Sequence, residues 1–456
     1  MYRHHIHSLT HWYHQRIHKP LILRGARQVG KSTLVRLFAE QQELELVELN
    51  FERNPEYAEL FSNYDVSQMV SNMRLILNRI IEPGKSLLFL DEIQAAPSLL
   101  AVLRYFYEDM PALHVIAAGS LLDFELTSPS FSMPVGRISY LHLYPMDFSE
   151  FLHAMGESSL AEFIGNWFPG TALPLPLHEK LMGLMRQNIA VGGMPEAVRV
   201  FADSKDYRQV EQLKQDLLAT FSDDFSKYAP HQDQALIRQV FRKAPTLIGR
   251  KVKYSEIDGS LPSPRVAKAL EQLSLARVIQ KVVRSAANGL PLAAEENPKF
   301  FKLLFLDIGL VSTMMQVSSR ALQEDLLMIN QGALAEQWVG QALLSSLDAH
   351  IPPHLHYWAR EARSSSAELD YVIAGGFPVP IEVKAGKGGT LKSLHQFIRE
   401  KGSPFAVRLN ADLPSILQQS HATADGSHCD FHLLSLPLYM AGEVRRIIDS
   451  DVLIAS

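Results

Sequence analysis

PLILRGARQVGKSTLVRLFAE, residues Pro20 to Glu40, runs from a short apolar stretch (Leu21 to Leu23) through a glycine loop into an amphipathic segment. The loop reads Gly25-Ala26-Arg27-Gln28-Val29-Gly30-Lys31-Ser32, followed by Thr33, and fills the pattern GxxxxGK[ST] at every fixed position. Strand, loop and helix in that order suit phosphate binding. The glycines let consecutive N–H groups turn toward phosphate oxygens, and a helix starting near Lys31 adds the positive end of its dipole. Lys31 is then expected to reach the β- and γ-phosphates of ATP, and Ser32 to ligate Mg²⁺.

Four further apolar runs read as strands: Leu44 to Phe51, Ser86 to Leu90, Leu113 to Ala118 and Ile138 to Tyr144. Strands alternating with helical segments predict an α/β fold with a parallel sheet. The run SLLFL ends in Asp91-Glu92, a Walker B pattern. Asp91 is expected to hold Mg²⁺, directly or through water, and Glu92 to orient and deprotonate the attacking water. Paired acids also occur at helix N-termini, where they favour the dipole. The complete glycine loop upstream favours the metal and water roles.

The chain has 456 residues, which suggests about three domains. Its hydrophobic share of 47% suits packed cores, and its net charge of -5 gives no global attraction to nucleic acid. The single cysteine, Cys429, excludes an intramolecular disulfide framework and a cysteine zinc cluster. No secretory signal or membrane-spanning run is visible, so a cytoplasmic protein with no membrane partner is expected. At the N-terminus His7, His11, His14 and His18 are spaced to share one helix face, a possible metal or anion face. The alternative is a buried stripe of Ile6, Leu9, Trp12, Tyr13 and Ile17, with the histidines in water.

The order GARQVGKST, LFLDEIQ, AAGSLLDFE, Gly136-Arg137, LYPMDFSEF (Leu143 to Phe151) and GGMPEAV (Gly192 to Val198) resembles a group of prokaryotic AAA-type ATPases whose C-terminal domain is of unknown function. The resemblance covers nearly the whole chain, and the last two motifs are particular to this group. It implies that Ser120, after the strand inserted between the two Walker strands, senses the γ-phosphate. It also implies that Asn50 restrains Glu92. Arg137 becomes the first candidate for an arginine finger or sensor and Arg104 the second; a finger acting in trans requires a homo-oligomer. Residues Ser149 to about Ala229 then form a helical lid, on which Arg199 is available as a second phosphate sensor.

Between Arg238 and Arg284 stand eleven Lys or Arg residues and three acids, a local excess of eight positive charges. Helix, helix (Tyr254 to Asp258), turn, a third helix capped by Ser263 with Pro264 following, and two strands (Val278 to Val283 and Phe300 to Leu306) read as a winged helix. On the third helix Val266, Ala269, Leu270 and Leu273 form the buried stripe, and Arg265, Lys268 and Gln272 the outer face. Such a module meets DNA or RNA phosphates, or serves as a spacer with a solvated basic face.

In the last part, Gln331 to Leu347 reads as a helix carrying Glu336. Glu368 to Ile373 (ELDYVI) and Val379 to Lys384 (VPIEVK) read as two strands joined through Ala374-Gly375-Gly376. In a hairpin of that length Asp370 lies across from the neighbourhood of Glu382, and Glu382 and Lys384, two apart, share a face. Asp370 and Glu382 are expected to bind a hard divalent cation, and Lys384 to stabilise charge as water attacks phosphorus. The alternative is an exposed hairpin with an ordinary Glu-Lys pair. With a helix over Leu391 to Lys401 and a strand over Phe405 to Leu409, the pattern resembles the restriction-endonuclease-like PD-(D/E)XK core. Glu336 matches the acid of its first helix and metal set, while Leu369 replaces the usual proline.

The expected organisation is thus 1–148 AAA-type ATPase core, 149–230 helical lid, 231–328 winged helix and 329–456 nuclease-like α/β domain. The expected function is Mg²⁺-dependent ATP hydrolysis coupled to action on nucleic acid. The rival is a nucleotide-dependent switch whose C-terminal domain binds a partner without cutting.

Overall fold

The computed structural model describes residues 1–126, 136–225, 231–319, 332–362, 365–386, 390–422 and 428–450. The five apolar runs of the first part become β1 (Leu21–Arg24), β2 (Glu45–Asn50), β3 (Ser86–Asp91), β4 (His114–Gly119) and β5 (Ser139–His142). They form one parallel sheet in the order β2-β3-β4-β1-β5. Every residue of β3 and β4 is buried, as a sheet with helices on both faces requires. Leu88, Leu90, Val115 and Ala117 pack in the core with helices Val66–Leu77 and Leu99–Asp109. Their neighbours Leu87, Phe89, Ile116 and Ala118 pack in the core with helices His5–His14 and Lys31–Gln41. Because β4 lies between β3 and β1, the carboxyl ends of the three strands bring Asp91-Glu92, Gly119-Ser120 and the glycine loop side by side.

The N-terminal helix departs from the expected histidine face. It ends at His14, and Leu9 and Trp12 are its buried residues. Ile17 is exposed, whereas His18 is buried and stacks on His114 at 3.8 Å. The chain must turn there to enter β1 at Leu21, which carries His18 inward and off the face of His7, His11 and His14.

Helices Phe148–Ala154, Ser158–Gly165, Leu175–Val191, Pro195–Ser204 and Tyr207–Asp224 follow. The first opens with a capping box between Asp147 and Glu150. LYPMDFSEF and GGMPEAV meet directly, since the Met146 N–H donates to Gly193 O at 2.6 Å. A Cβ at Gly193 would stand 2.2 Å from Met146 O, so only glycine fits. The Gly193 N–H donates to Asp307 Oδ2 at 2.6 Å, tying these helices to the segment after the basic span.

That span forms helices His231–Lys243, Tyr254–Ile257 and Ser263–Leu275, then β6 (Ile279–Ser285) and β7 (Glu296–Phe305). Val266, Ala269, Leu270 and Leu273 are buried, as their spacing requires. Ser263 is the first helical residue rather than the cap, because Pro262 holds the extended N-cap position. β6 pairs antiparallel with β7 and parallel with β8 (Leu355–Ala362). With β9 (Ser365–Ala374), β10 (Pro378–Val383), β11 (Phe405–Asn410), β12 (Ser415–Ala422) and β13 (His428–Pro437), these strands form an eight-stranded sheet in the order β12-β13-β11-β10-β9-β8-β6-β7. The sheet therefore takes strands from both sides of the expected division at 328 and 329, while positions 230 and 329, like Gln331, lie outside the described residues. Helix Ala333–Ser345 packs against Tyr357 and Tyr371, and helix Lys392–Lys401 against Trp358 and Leu369. No described helix is long and apolar enough to cross a membrane.

Candidate functional site

The glycine loop lies at the mouth of a cleft of about 570 Å³ lined by Lys31, Thr33, Glu92, Ser120 and Arg199 among others. Gly30 is the N-cap of helix Lys31–Gln41 at φ +92°, a left-handed geometry that favours glycine. The Lys31 ammonium turns back on the loop, donating to Gly25 O at 3.0 Å and Ala26 O at 2.9 Å. Burial pushes its pKa down to about 8, against the pull of Glu92 and Asp91. The Ser32 hydroxyl lies 3.1 and 3.0 Å from the two carboxylate oxygens of Asp91. Burial, then the neighbouring Glu92, raises the Asp91 pKa. A hydroxyl and a carboxylate gathered beside a buried ammonium form an oxygen donor set for a hard cation next to phosphate.

Glu92 sits at φ 52° and ψ 45°, an uncommon backbone region for a non-glycine residue. Its carboxylate accepts from Gln94 Nε2 at 2.5 Å. Asn50, expected to restrain Glu92, instead donates to Asp91 Oδ2 at 3.1 Å. The reason is register: Asn50 and Asp91 are directly paired on β2 and β3, while Glu92 has already left the strand. Gln94 is therefore a residue that the sequence did not single out. Ser120 accepts from Arg27 Nε at 3.1 Å, and Arg27 also pairs with Asp224 on helix Tyr207–Asp224 at 2.7 Å. Arg3, equally unforeseen, is buried and donates to Val29 O at 3.0 Å and Tyr144 O at 2.7 Å. Arg27 of the glycine loop thus links Ser120 to helix Tyr207–Asp224. Arg137 and Arg104 are not among the residues lining this cleft; both pair with Glu108, at 2.8 and 3.0 Å.

A second cluster gathers around the β9–β10 hairpin. Asp370 Oδ2 accepts the Val383 N–H at 2.8 Å, and Lys384 Nζ donates to Glu382 Oε1. Lys302, buried on β7, enters the same cluster, with Nζ 2.8 Å from Glu336, 2.8 Å from Glu368 and 3.4 Å from Asp370. Burial works against the Lys302 ammonium, but Glu336, Asp370 and Glu368 outweigh it and hold its pKa well above the ordinary value. Burial pushes Glu336 up to about 8; burial and then Asp370 push Glu382 up to about 7. Four carboxylates face three ammonium groups, Lys302, Lys384 and Lys251, so like-charge repulsion adds to desolvation. Glu382 Oε2 is buried with no hydrogen-bond partner among the described residues. The expected residues Glu336, Asp370, Glu382 and Lys384 are therefore together, and Lys302 and Glu368 join them unforeseen. A lysine inside the apolar run KFFKLLF was the available signal.

Much of the basic span is already paired. Arg277 meets Asp123 at 2.7 Å beside Arg24, and Lys251 meets Glu368 at 3.3 Å. Arg265 and Lys268 are exposed and flank Asp233 at 3.8 and 3.1 Å.

No curated protein matches the chain. Among solved structures, the ORC2 protein of Aeropyrum pernix is 13% identical at a TM-score of 0.34, with 70% of this chain and 94% of that one covered. The RuvB Holliday junction branch migration motor of Thermotoga maritima is 16% identical at 0.27, with 58% and 83% covered. These scores are too low to carry an argument about this chain. Residues 182–321 match a domain of unknown function (DUF8612), and residues 331–415 match another (DUF4143). Residues 17–152, which hold the glycine loop, Asp91, Glu92, Ser120 and Arg137, match the AAA domain family.

Proposed function

We propose that this chain is a Mg²⁺-dependent ATPase that works as a homo-oligomer and couples nucleotide turnover to nucleic-acid binding. The observation that carries the first part is the Ser32 hydroxyl within 3.1 Å of both Asp91 oxygens, beside a buried Lys31. Ser32 and Asp91 would hold Mg²⁺, which neutralises charge on the β- and γ-phosphates when bound. Lys31 exchanges its loop carbonyls for phosphate oxygens. Glu92 leaves Gln94 and accepts the proton of the attacking water. Ser120 and Arg27 stand at the γ-phosphate side, and the Arg27 link to Asp224 carries its state to the lid. Arg137, half-exposed on Glu108, is suited to a neighbouring subunit's nucleotide.

For the middle region, helix–helix–helix followed by the β6–β7 hairpin supports a winged helix, with Arg265 and Lys268 exposed toward phosphates. Titration of a fluorescent ATP analogue tests the nucleotide assignment: wild type binds, Mg²⁺ tightens binding, and Lys31→Ala abolishes it. Binding of labelled duplex DNA should weaken with log salt at a slope of about -0.9 per phosphate neutralised. Unchanged affinity in Arg265→Glu/Lys268→Glu would make the module a spacer.

One observation favours the second reading, a switch whose C-terminal domain does not cut. In the nuclease-like arrangement, Asp370, Glu382 and Glu336 would hold the cation and Lys384 the developing charge. Lys302 stands 2.8 Å from Glu336 and 3.4 Å from Asp370, so its ammonium takes the position of a cation between them. Cleavage of labelled DNA or RNA with Mn²⁺, lost in Asp370→Asn, supports the nuclease; no cleavage with intact partner binding supports the switch.

A further inference from the structure

A separate group of side chains occupies the edge where the basic hairpin joins the C-terminal sheet. His354 stands just before β8, His356 is the second residue of that strand, and Glu296 is the first residue of β7. β6 runs between them, pairing Val283 with His356 and Ser285 with Glu296. The Glu296 carboxylate reaches across β6, placing Oε1 2.8 Å from His354 Nε2 and 2.6 Å from His356 Nε2. The two imidazoles stack with centroids 4.7 Å apart and planes 17° apart. Among the described residues, this is the one group in which three such ligand atoms lie within 4.8 Å of one another.

We propose that Glu296, His354 and His356 bind a divalent transition metal, with Zn²⁺ the best match. Two imidazole nitrogens and one carboxylate oxygen suit zinc, whereas Mg²⁺ prefers oxygen ligands and retains water. Tetrahedral coordination at about 2.0–2.2 Å spaces ligand atoms about 3.3 Å apart, so the two Glu296-to-histidine distances need to open by only about 0.5–0.7 Å. Glu296 and His354 are not fully buried, which leaves a path for the ion and a fourth position for water. The bound ion would brace the β6–β7 hairpin against β8. The group shares no residue with the nucleotide cleft or the Lys302 cluster, so this inference stands apart from the ATPase reading.

The test uses full-length protein stripped with a chelator and dialysed against Zn²⁺ in millimolar Mg²⁺. Wild type should retain one Zn²⁺ per chain, and His354→Ala or Glu296→Gln should weaken that binding by about 100-fold. His11→Ala/His14→Ala and Asp370→Asn should retain it, which separates this group from the N-terminal histidines and the other cluster. Because His354 is 45% exposed, its replacement should leave the metal-free melting temperature unchanged. With Co²⁺ as probe, His354→Cys should keep binding and gain a thiolate-to-cobalt absorption band. Absence of stoichiometric Zn²⁺ in wild type, or loss that follows His11 and His14 or Asp370 instead, would overturn the proposal.

Discussion

Replacing Lys302 with methionine removes the ammonium that faces three carboxylates while preserving most of the side chain's volume. Glu336 is the partner left most exposed to the consequence, with 11% side-chain exposure against 19% for Asp370 and 33% for Glu368. Breaking a buried ion pair from one side costs about 3–5 kcal/mol. The low end applies, because the Glu336 pKa is already about 8 and the carboxyl can take up a proton. About 3 kcal/mol on a unit of 150–250 residues lowers its melting temperature by roughly 6–12 °C. The Glu336 carboxyl holds its proton below about pH 8 in wild type, and loss of the Lys302 ammonium pushes its pKa higher still, so the Lys302→Met penalty should be flat below about pH 7 and grow as pH rises past about 8. Thermal unfolding followed by circular dichroism, with Lys302→Met/Glu336→Gln recovering part of the loss, measures this. A shift under about 2 °C, or one independent of pH, would refute the view that Lys302 holds the cluster together.

Three further outcomes are expected. ATP affinity should hold steady below pH 7 and fall as pH rises through about 8, because phosphate binding favours the charged form of Lys31; isothermal titration across pH 6.5–9 checks the direction. Gly193→Ala, whose new methyl would meet backbone at 2.2 Å, should cost about 1–3 kcal/mol and be seen as a lower melting temperature. A mixture of Arg137→Ala and Lys31→Ala proteins, each inactive alone, should recover part of the ATPase rate if Arg137 acts across subunits; a fully active monomer would contradict that role.

The first sheet was legible because parallel strands buried on both faces leave uninterrupted apolar runs, and β1 to β5 each begin or end within a residue or two of such a run. β8 and β12 were not: LHYWAREA and SILQQSHA carry charged or polar residues that give no simple alternation. That the glycine loop meets the Asp91-Glu92 pair was legible from strand spacing alone. Lys302 was not, since the carboxylates that justify its burial lie 34 to 68 residues further along and are brought near by sheet order. The same is true of Glu296, whose histidine partners stand on β8 and just before it, across an intervening strand. Arg265 and Lys268 read correctly as an outer face, but their shared contact with Asp233 depended on how two helices pack.

The most direct measurement compares nucleotide binding and steady-state ATP turnover in wild type and Glu92→Gln. Glu92 is predicted to act on water rather than on bound nucleotide, so the variant should bind Mg²⁺-ATP with little change while turnover falls about 10²–10⁴-fold. Turnover at the wild-type rate would contradict the account.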